Sequence, residues 1–183
     1  MILKPNSRIE LQKFTCEDIT DDYLNWLSDQ RVIKYLEVRN SDRSIDAIKN
    51  WVDSFDDVSA YLWKIVDVFE AKTVGTASLH SINAFHKKAS YGYMIGDLDY
   101  WDGLTAYSAC CIVFDFAFSN LKLNSLFAGT YSSNISAIVN YKKLGLSYQG
   151  VRKSSLRVEE SWVDEILFGI TRVDWVKGSL YDK

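Results

Sequence analysis

Two stretches of this 183-residue chain bring together groups that could do chemistry. The first, Tyr91 to Ala109, reads as a strand ending at Gly96, a loop through Asp97 to Leu104, and a helix starting near Thr105. The first amides of a helix lack an intrahelical acceptor and form its positive end, so this junction can hold an anion such as a pyrophosphate. Every strand-loop-helix connection shares that property, and the spacing alone does not choose a ligand. The second stretch, Thr130 to Leu146, places Asn134 at a helix start and Tyr141 seven residues later, two turns along one face. An amide and a phenol so aligned can orient a ligand and deliver a proton. An N-cap followed by a packed tyrosine is the plainer reading of the same pair.

The elements that must position these groups can be read from hydrophobic period. Arg8 to Gln12 alternates as a half-buried strand. Thr15, with Asp18 three residues on, resembles a capping box that opens a helix carrying Ile19, Tyr23, Trp26 and Leu27. A short helix is expected over Gln30 to Leu36, and a third behind Ser44, carrying Ile45, Ile48, Trp51, Val52 and Phe55. Tyr61 to Phe69, Thr73 to Ile82 and Ser90 to Ile95 are rich in β-branched and aromatic residues. Their short connections make them an antiparallel meander. Thr105 to Asn120 is apolar on nearly every side and predicts a buried helix. A strand over Asn124 to Tyr131 and a helix over Asn134 to Leu144, closed by Gly145, come next. Strands over Ser147 to Val151 and Trp162 to Thr171 finish the pattern, as an antiparallel pair across a turn near Arg157 to Ser161.

Composition bounds the reading. With 48% hydrophobic and 14% aromatic residues, nine Gly, one Pro and no linker-like tract, residues 1–183 are expected to form a single domain. Lys and Arg total 21 against 24 Asp and Glu, a net charge of -3 with no basic face of the kind nucleic-acid binders carry. The longest apolar stretch, Ala109 to Phe118, is interrupted by Asp115 and too short to span a membrane. Met1 to Ile9 lacks the apolar core of a signal peptide, and a cytoplasmic protein is expected. Cys16, Cys110 and Cys111 fit no zinc spacing, and with only His80 and His86 beside them no metal is expected; the thiols read as buried and reduced.

Taken together, several segments resemble the GNAT superfamily of N-acetyltransferases. The closest resemblance is to the branch that acetylates ribosomal-protein N-termini, with its relatives acting on polyamines and amino sugars. The segments are Arg8-Ile9-Glu10-Leu11, Glu17-Asp18-Ile19, Tyr23-Leu24-Asn25-Trp26-Leu27, Val74 to His80, and Tyr91 to Gly96. Ser132-Ser133-Asn134, Tyr141 to Gly145 and Val163 to Ile170 complete the set. The resemblance implies an α/β fold: a mixed, mainly antiparallel sheet flanked by helices, with a splayed strand pair holding acyl-CoA. It implies acetyl transfer from acetyl-CoA to a primary amine by direct attack, the acceptor being a protein N-terminus, a polyamine or an amino sugar. It also implies a homodimer, which is common in this branch.

The same resemblance assigns residues. Met94, Ile95 and Gly96 match the strand that pairs with the pantetheine arm. Trp101, Asp102, Gly103, Leu104, Thr105 and Ala106 match the diphosphate loop. Asn134 falls on a cofactor contact, and Tyr141 on the tyrosine that protonates the departing thiolate. His80 is a candidate base, with a water chain equally compatible, and Glu37 and Tyr93 are candidate acceptor-pocket residues. Two positions depart from the family pattern: Leu104 replaces a glycine of the loop, and Ser108 an acidic residue. These departures motivate an alternative, a catalytically silent member that binds CoA or a partner.

Overall fold

A computed structural model describes residues 7–158 and 160–180, with side chains to 177. Residues 1–6, on which the expectation about a signal segment bears, lie outside it, as does residue 159 in the expected 157–161 turn.

Seven strands form one sheet: β1 (Ile9–Lys13), β2 (Tyr61–Asp67), β3 (Lys72–Asn83), β4 (Lys88–Ile95), β5 (Ser125–Tyr131), β6 (Ser147–Val158) and β7 (Ser161–Thr171). Their order is β1-β2-β3-β4-β5-β7-β6. All neighbours are antiparallel except β4 and β5. That parallel pair comes about because a helix crosses between them, α4 (Leu104–Asp115). Its residues Thr105, Tyr107 to Cys111, Val113 and Phe114 are buried, as an apolar circumference requires. One face of the sheet carries α4 and α5 (Ile135–Lys143), gathering Ile65, Leu79, Tyr91, Phe114, Leu126, Tyr141 and Phe168. The other face carries α1 (Asp21–Ser28), α2 (Gln30–Ile33) and α3 (Ile45–Asp53), gathering Tyr23, Leu27, Val32, Ile48, Leu62 and Met94. A last helix, α6 (Arg172–Leu180), is absent from the sequence reading; its Trp175 Nε1 donates to Asp115 at 2.8 Å.

Other elements differ from expectation for local reasons. Thr15 and Asp18 do form a capping box, but it closes a single 3₁₀ turn, Cys16–Asp18, and Ile19 stands outside any helix. The helix proper begins one turn later, where Thr20 accepts from the Tyr23 amide. The second helix stops at Ile33 rather than Leu36, and Glu37 lies in a 3₁₀ turn, Glu37–Asn40. The buried helix changes at Asp115 into a π turn, Phe116–Asn120, in which Leu121 N–H donates to Phe116 O at 3.2 Å. β6 runs to Val158, well past Val151, as one arm of a long hairpin. Cys110 and Cys111 are buried and free as expected, but Cys16 is only half-buried, its Sγ beside Asp53. Among the described residues no metal-binding cluster exists, and no helix is long and apolar enough to cross a membrane.

Candidate functional site

The site begins where two strands part. β4 and β5 pair only through Lys88↔Ser125, Ala89↔Leu126 and Ser90↔Phe127; beyond these each strand runs on, to Ile95 and Tyr131, without the other. Gly96 N–H donates to Val74 O at 2.9 Å, so its backbone faces β3. Because successive residues of a strand point their backbone groups to alternate sides, Tyr91, Tyr93 and Ile95 face the opening. An opening of about 1300 Å³ results, bordered by both halves of the sheet, α2, α5 and the loop before α4.

Side-chain alternation divides that cleft between the two faces of the sheet. Tyr93, Tyr141 and Asn140 lie on the α4/α5 face, around Cys110. His80, opposite Ser90 on β3, belongs to the other face, as does Met94. Glu37 and Tyr131 meet on that second face, the Tyr131 hydroxyl donating to Glu37 Oε1 at 3.1 Å, with the Arg39 guanidinium over the Tyr131 ring. Glu165 lies across Gly129, where a Cβ would meet its Oε1 at 2.2 Å, and pairs with Arg152 at 3.0 Å.

Burial sets the protonation of the central groups. Desolvation pushes the Tyr141 phenol well up, reinforced by the neighbouring Cys110, so Tyr141 is a protonated phenol at neutral pH. Its ring stands edge-on to Tyr91 and Phe168, at 5.8 and 5.4 Å between centroids. Burial lowers His80 below 6.5, which leaves its imidazole neutral at pH 7 and able to take a proton.

The loop before α4 is built differently from the sequence expectation. Gly103 is the left-handed residue, with φ 73°, and Leu104 is the first helical residue with its side chain packed on the core. Leu104 therefore does not crowd the cleft. The amides of Leu104 and Thr105 are already capped: both donate to Asp102 Oδ1 at 2.8 Å, and the Thr105 hydroxyl donates to Oδ2 at 3.2 Å. Asp102, Leu104 and Thr105 are absent from the cleft wall, while Trp101, Gly103 and Ala106 line it. Gly96 is not on the wall either. A side chain there would strike the Trp26 indole at 2.0 Å, so this glycine lets α1 pack against the end of β4.

The remaining expected residues do meet. Met94, Ile95, Asn134, Tyr141, His80 and Glu37 all border the cleft, as does Tyr93, but Tyr93 sits with Tyr141 rather than on the face of Glu37. Asn134 is engaged as the N-cap, accepting from Ala137 N–H at 3.3 Å while its Nδ2 donates to Thr130 Oγ1 at 3.1 Å. Trp101 Nε1 donates to Ile95 O at 2.9 Å, binding the loop to the β4 edge. Ser108, at the position expected to be acidic, is buried and donates to Leu104 O at 2.8 Å.

Sequence reasoning missed Lys143, Tyr131 and Glu165. Lys143 Nζ lies 3.9 Å from where a Gly103 side chain would begin, bringing a cation from α5 to the loop. Its position in the last turn of a helix gives a tandem Lys142-Lys143 the ordinary look of a C-terminal charge pattern. Nothing in the local pattern links Glu165 or Tyr131 to the site; both arrive by strand pairing.

Comparison with known proteins agrees with this geometry. The N-acetyltransferase p20 of Bacillus licheniformis, itself uncharacterised, is 22% identical over 172 residues, covering 92% of this chain and 95% of its own. The probable N-acetyltransferase YjcK of Bacillus subtilis is 25% identical over 115 residues, covering 62% of this chain and 63% of its own. The spermidine N-acetyltransferase of Vibrio cholerae, solved in complex with CoA and spermine, superposes with a TM-score of 0.83 at 17% identity, covering 93% of this chain and 99% of that one. With the acetyltransferase (GNAT) domain matched over residues 8–147, the chain belongs to that family and is a GNAT-family N-acetyltransferase.

Proposed function

We propose that this protein transfers the acetyl group of acetyl-CoA to a primary amine by direct attack. The observation that carries the reading is the parting of β4 and β5 after Ser90 and Phe127, with proton-accepting and proton-donating groups on opposite faces of the sheet. The residues fit an acyl-CoA. The backbone edge of Tyr91, Tyr93 and Ile95 suits an extended amide-bearing arm, and Gly103, Ala106 and Lys143 suit its phosphates.

In this reading the amine enters from the His80 and Glu37 face. His80, or a water it holds, removes one proton from the ammonium group so that the nitrogen lone pair can attack the thioester carbon. A backbone N–H of the β4 edge stabilises the oxyanion. Collapse breaks the carbon–sulfur bond, the thiolate takes its proton from Tyr141, and the second proton of the attacking nitrogen passes through water to restore the phenol.

On the acceptor face Glu37 has no ion-pair partner among the described residues, while Arg31 and Arg152 of the same cleft are held by Asp29 and Glu165; Glu37 is therefore free to receive an ammonium group. The Vibrio cholerae relative, solved with spermine, keeps a polyamine among the candidates beside an amino sugar and a protein N-terminus. A second reading, a silent CoA-binding member, is favoured by the Asp102 cap on the Leu104 and Thr105 amides.

An acceptor screen with spermidine, an amino sugar and short peptides, read by release of free CoA thiol, tests both. Amine-dependent release supports transfer. A thermal shift with CoA but no release with any amine supports the silent reading. Neither release nor shift at millimolar acetyl-CoA overturns both.

A further inference from the structure

Where β4 and β5 part, the sheet face that carries His80 lacks a side chain at one position of each strand. Ser90↔Phe127 is the last pair, and two residues further along stand Gly92 on β4 and Gly129 on β5. Alternation turns both positions toward that face. Each is covered by the strand on its outer side. A Cβ on Gly92 would meet His80 Cε1 of β3 at 3.8 Å, and one on Gly129 would meet Glu165 Oε1 of β7 at 2.2 Å. Imidazole and carboxylate thus reach toward the opening from its two sides, and both residues line the cleft. A glycine inside a strand costs conformational order and leaves nothing to pack, so a carboxylate laid into its space calls for a reason.

The partners of Glu165 leave room for a cation. Its side chain is 17% exposed, and Oε2 accepts at 3.0 Å from Arg152 of β6, an arginine 64% exposed. So solvated a partner adds little to stability and exchanges readily for another cation. Oε1 takes no hydrogen bond among the described residues, and it is not sealed from solvent. Tyr131, opposite Glu165 in the register of β5 and β7, donates to Glu37, so both carboxylates serve one face. We infer that Glu165 is an acceptor-binding residue: Oε1, lying in the space left by Gly129, takes the substrate's ammonium group at the opening, and Arg152 is the counter-ion this group relieves. The inference rests on the acetyl-transfer reading above and goes beyond it by giving the ammonium group a second carboxylate and Gly129 a role.

The test uses the full chain with Glu165→Gln, Gly129→Ala, Arg152→Ala and the double variant of Glu165→Gln with Arg152→Ala. Melting temperature is measured without ligand. kcat and KM are measured for acetyl-CoA and for spermidine, glucosamine or a tripeptide with a free N-terminus, whichever the parent turns over; the ammonium group is common to all three. Glu165→Gln should raise KM for the amine about tenfold, the worth of one charged contact. kcat and KM for acetyl-CoA should stay within about twofold. Gly129→Ala should raise the amine KM about threefold at an unchanged melting temperature, because the flexible carboxylate yields to the methyl group and leaves its place. Arg152→Ala should lower the amine KM about two- to threefold. That gain should vanish in the double variant, because the arginine acts through Glu165. An unchanged amine KM in Glu165→Gln overturns the proposal. Equal rises in KM for amine and acetyl-CoA also overturn it, since a disturbed cleft would account for them. An Arg152→Ala gain that persists without the Glu165 carboxylate overturns it too, as plain relief of repulsion. Should Glu165→Gln fail to fold, Gly129→Ala decides by the same readouts. A parent protein without amine-dependent thiol release removes the underlying reading and this inference with it; an active parent with indifferent variants removes only the inference.

Discussion

Asp102 holds the start of α4 by accepting, through one carboxylate oxygen, the amides of Leu104 and Thr105, both at 2.8 Å. These are the donors an incoming diphosphate would be expected to use, and here the chain's own anion occupies them. Asp102→Gly should free both. CoA should bind about two- to fivefold more tightly through the restored helix terminus. The helix, losing its side-chain cap, should cost the fold about 1 kcal/mol. Calorimetric titration with CoA and thermal melting read the two effects separately, and an unchanged dissociation constant would show that donor phosphates make no use of these amides.

Lys143 offers the loop a compensating charge. With its Nζ 3.9 Å from the Gly103 Cβ position, Lys143→Ala should weaken CoA binding roughly tenfold, the worth of one charged contact. The loss should shrink as salt is raised, since the contact is solvent-exposed. Binding measured at two ionic strengths checks both statements; equal affinity at low salt would exclude the lysine from the phosphate site.

Tyr141→Phe removes a hydroxyl and keeps the ring that packs against Tyr91 and Phe168. Turnover should fall about tenfold or more while KM for acetyl-CoA and the melting temperature hold, the pattern of a group used only during the reaction. A variant with parental kcat would leave protonation of the thiolate to water.

In the proposed reading, His80 couples activity to pH. Burial lowers its pKa from 6.5, so the folded protein binds this proton less readily than the unfolded chain does. Stability from neutral burial is complete above about pH 6.5 and declines as pH falls through the lowered folded value. The rate should share that acidic limb, because a protonated imidazole cannot accept the amine's proton. His80→Gln should lower kcat/KM and erase the limb; a pH profile keeping the parental shape would assign the base elsewhere.

Behind the loop, Asp67 anchors Tyr100 and Arg8. Its burial tends to raise its pKa, but the Tyr100 hydroxyl at 2.9 Å, Arg8 at 2.7 Å and the amides of Phe69 and Glu70 prevail and hold it below the usual carboxylate range. The stability this contributes is present above about pH 4 and disappears as pH falls through the folded value. Asp67→Asn should therefore melt below the parent at pH 7 and converge with it in acid. A constant gap across that range would mean that charge at Asp67 plays no part.

Most elements were legible because their causes are local. The buried α4 follows from an apolar circumference, the start of α3 from the Ser44 cap on the Ala47 amide, and the end of α5 from Gly145 at φ 82°. Where a neighbour decides, the local signal misled. Thr15 and Asp18 satisfy a capping pattern but close only one turn; the helix begins behind Thr20, and the second oxygen of Asp18 pairs with Lys64 of β2 at 2.6 Å. Gly96 looked like a ligand contact and is instead a space for Trp26, a residue 70 positions away.

By itself the sequence determined the order of the main elements through β7, the family resemblance, and the presence of Tyr141, Asn134 and His80 as candidates, since residue type and period are local properties. Tertiary structure decided how they divide. Strand alternation put Tyr93 beside Tyr141 and set His80 on the other face with Glu37, and the parting of β4 from β5 opened the path between them. It also decided that the loop's cation comes from Lys143 of α5. Such outcomes depend on which distant groups compete for one donor or one volume, and that competition exists only once the chain has packed.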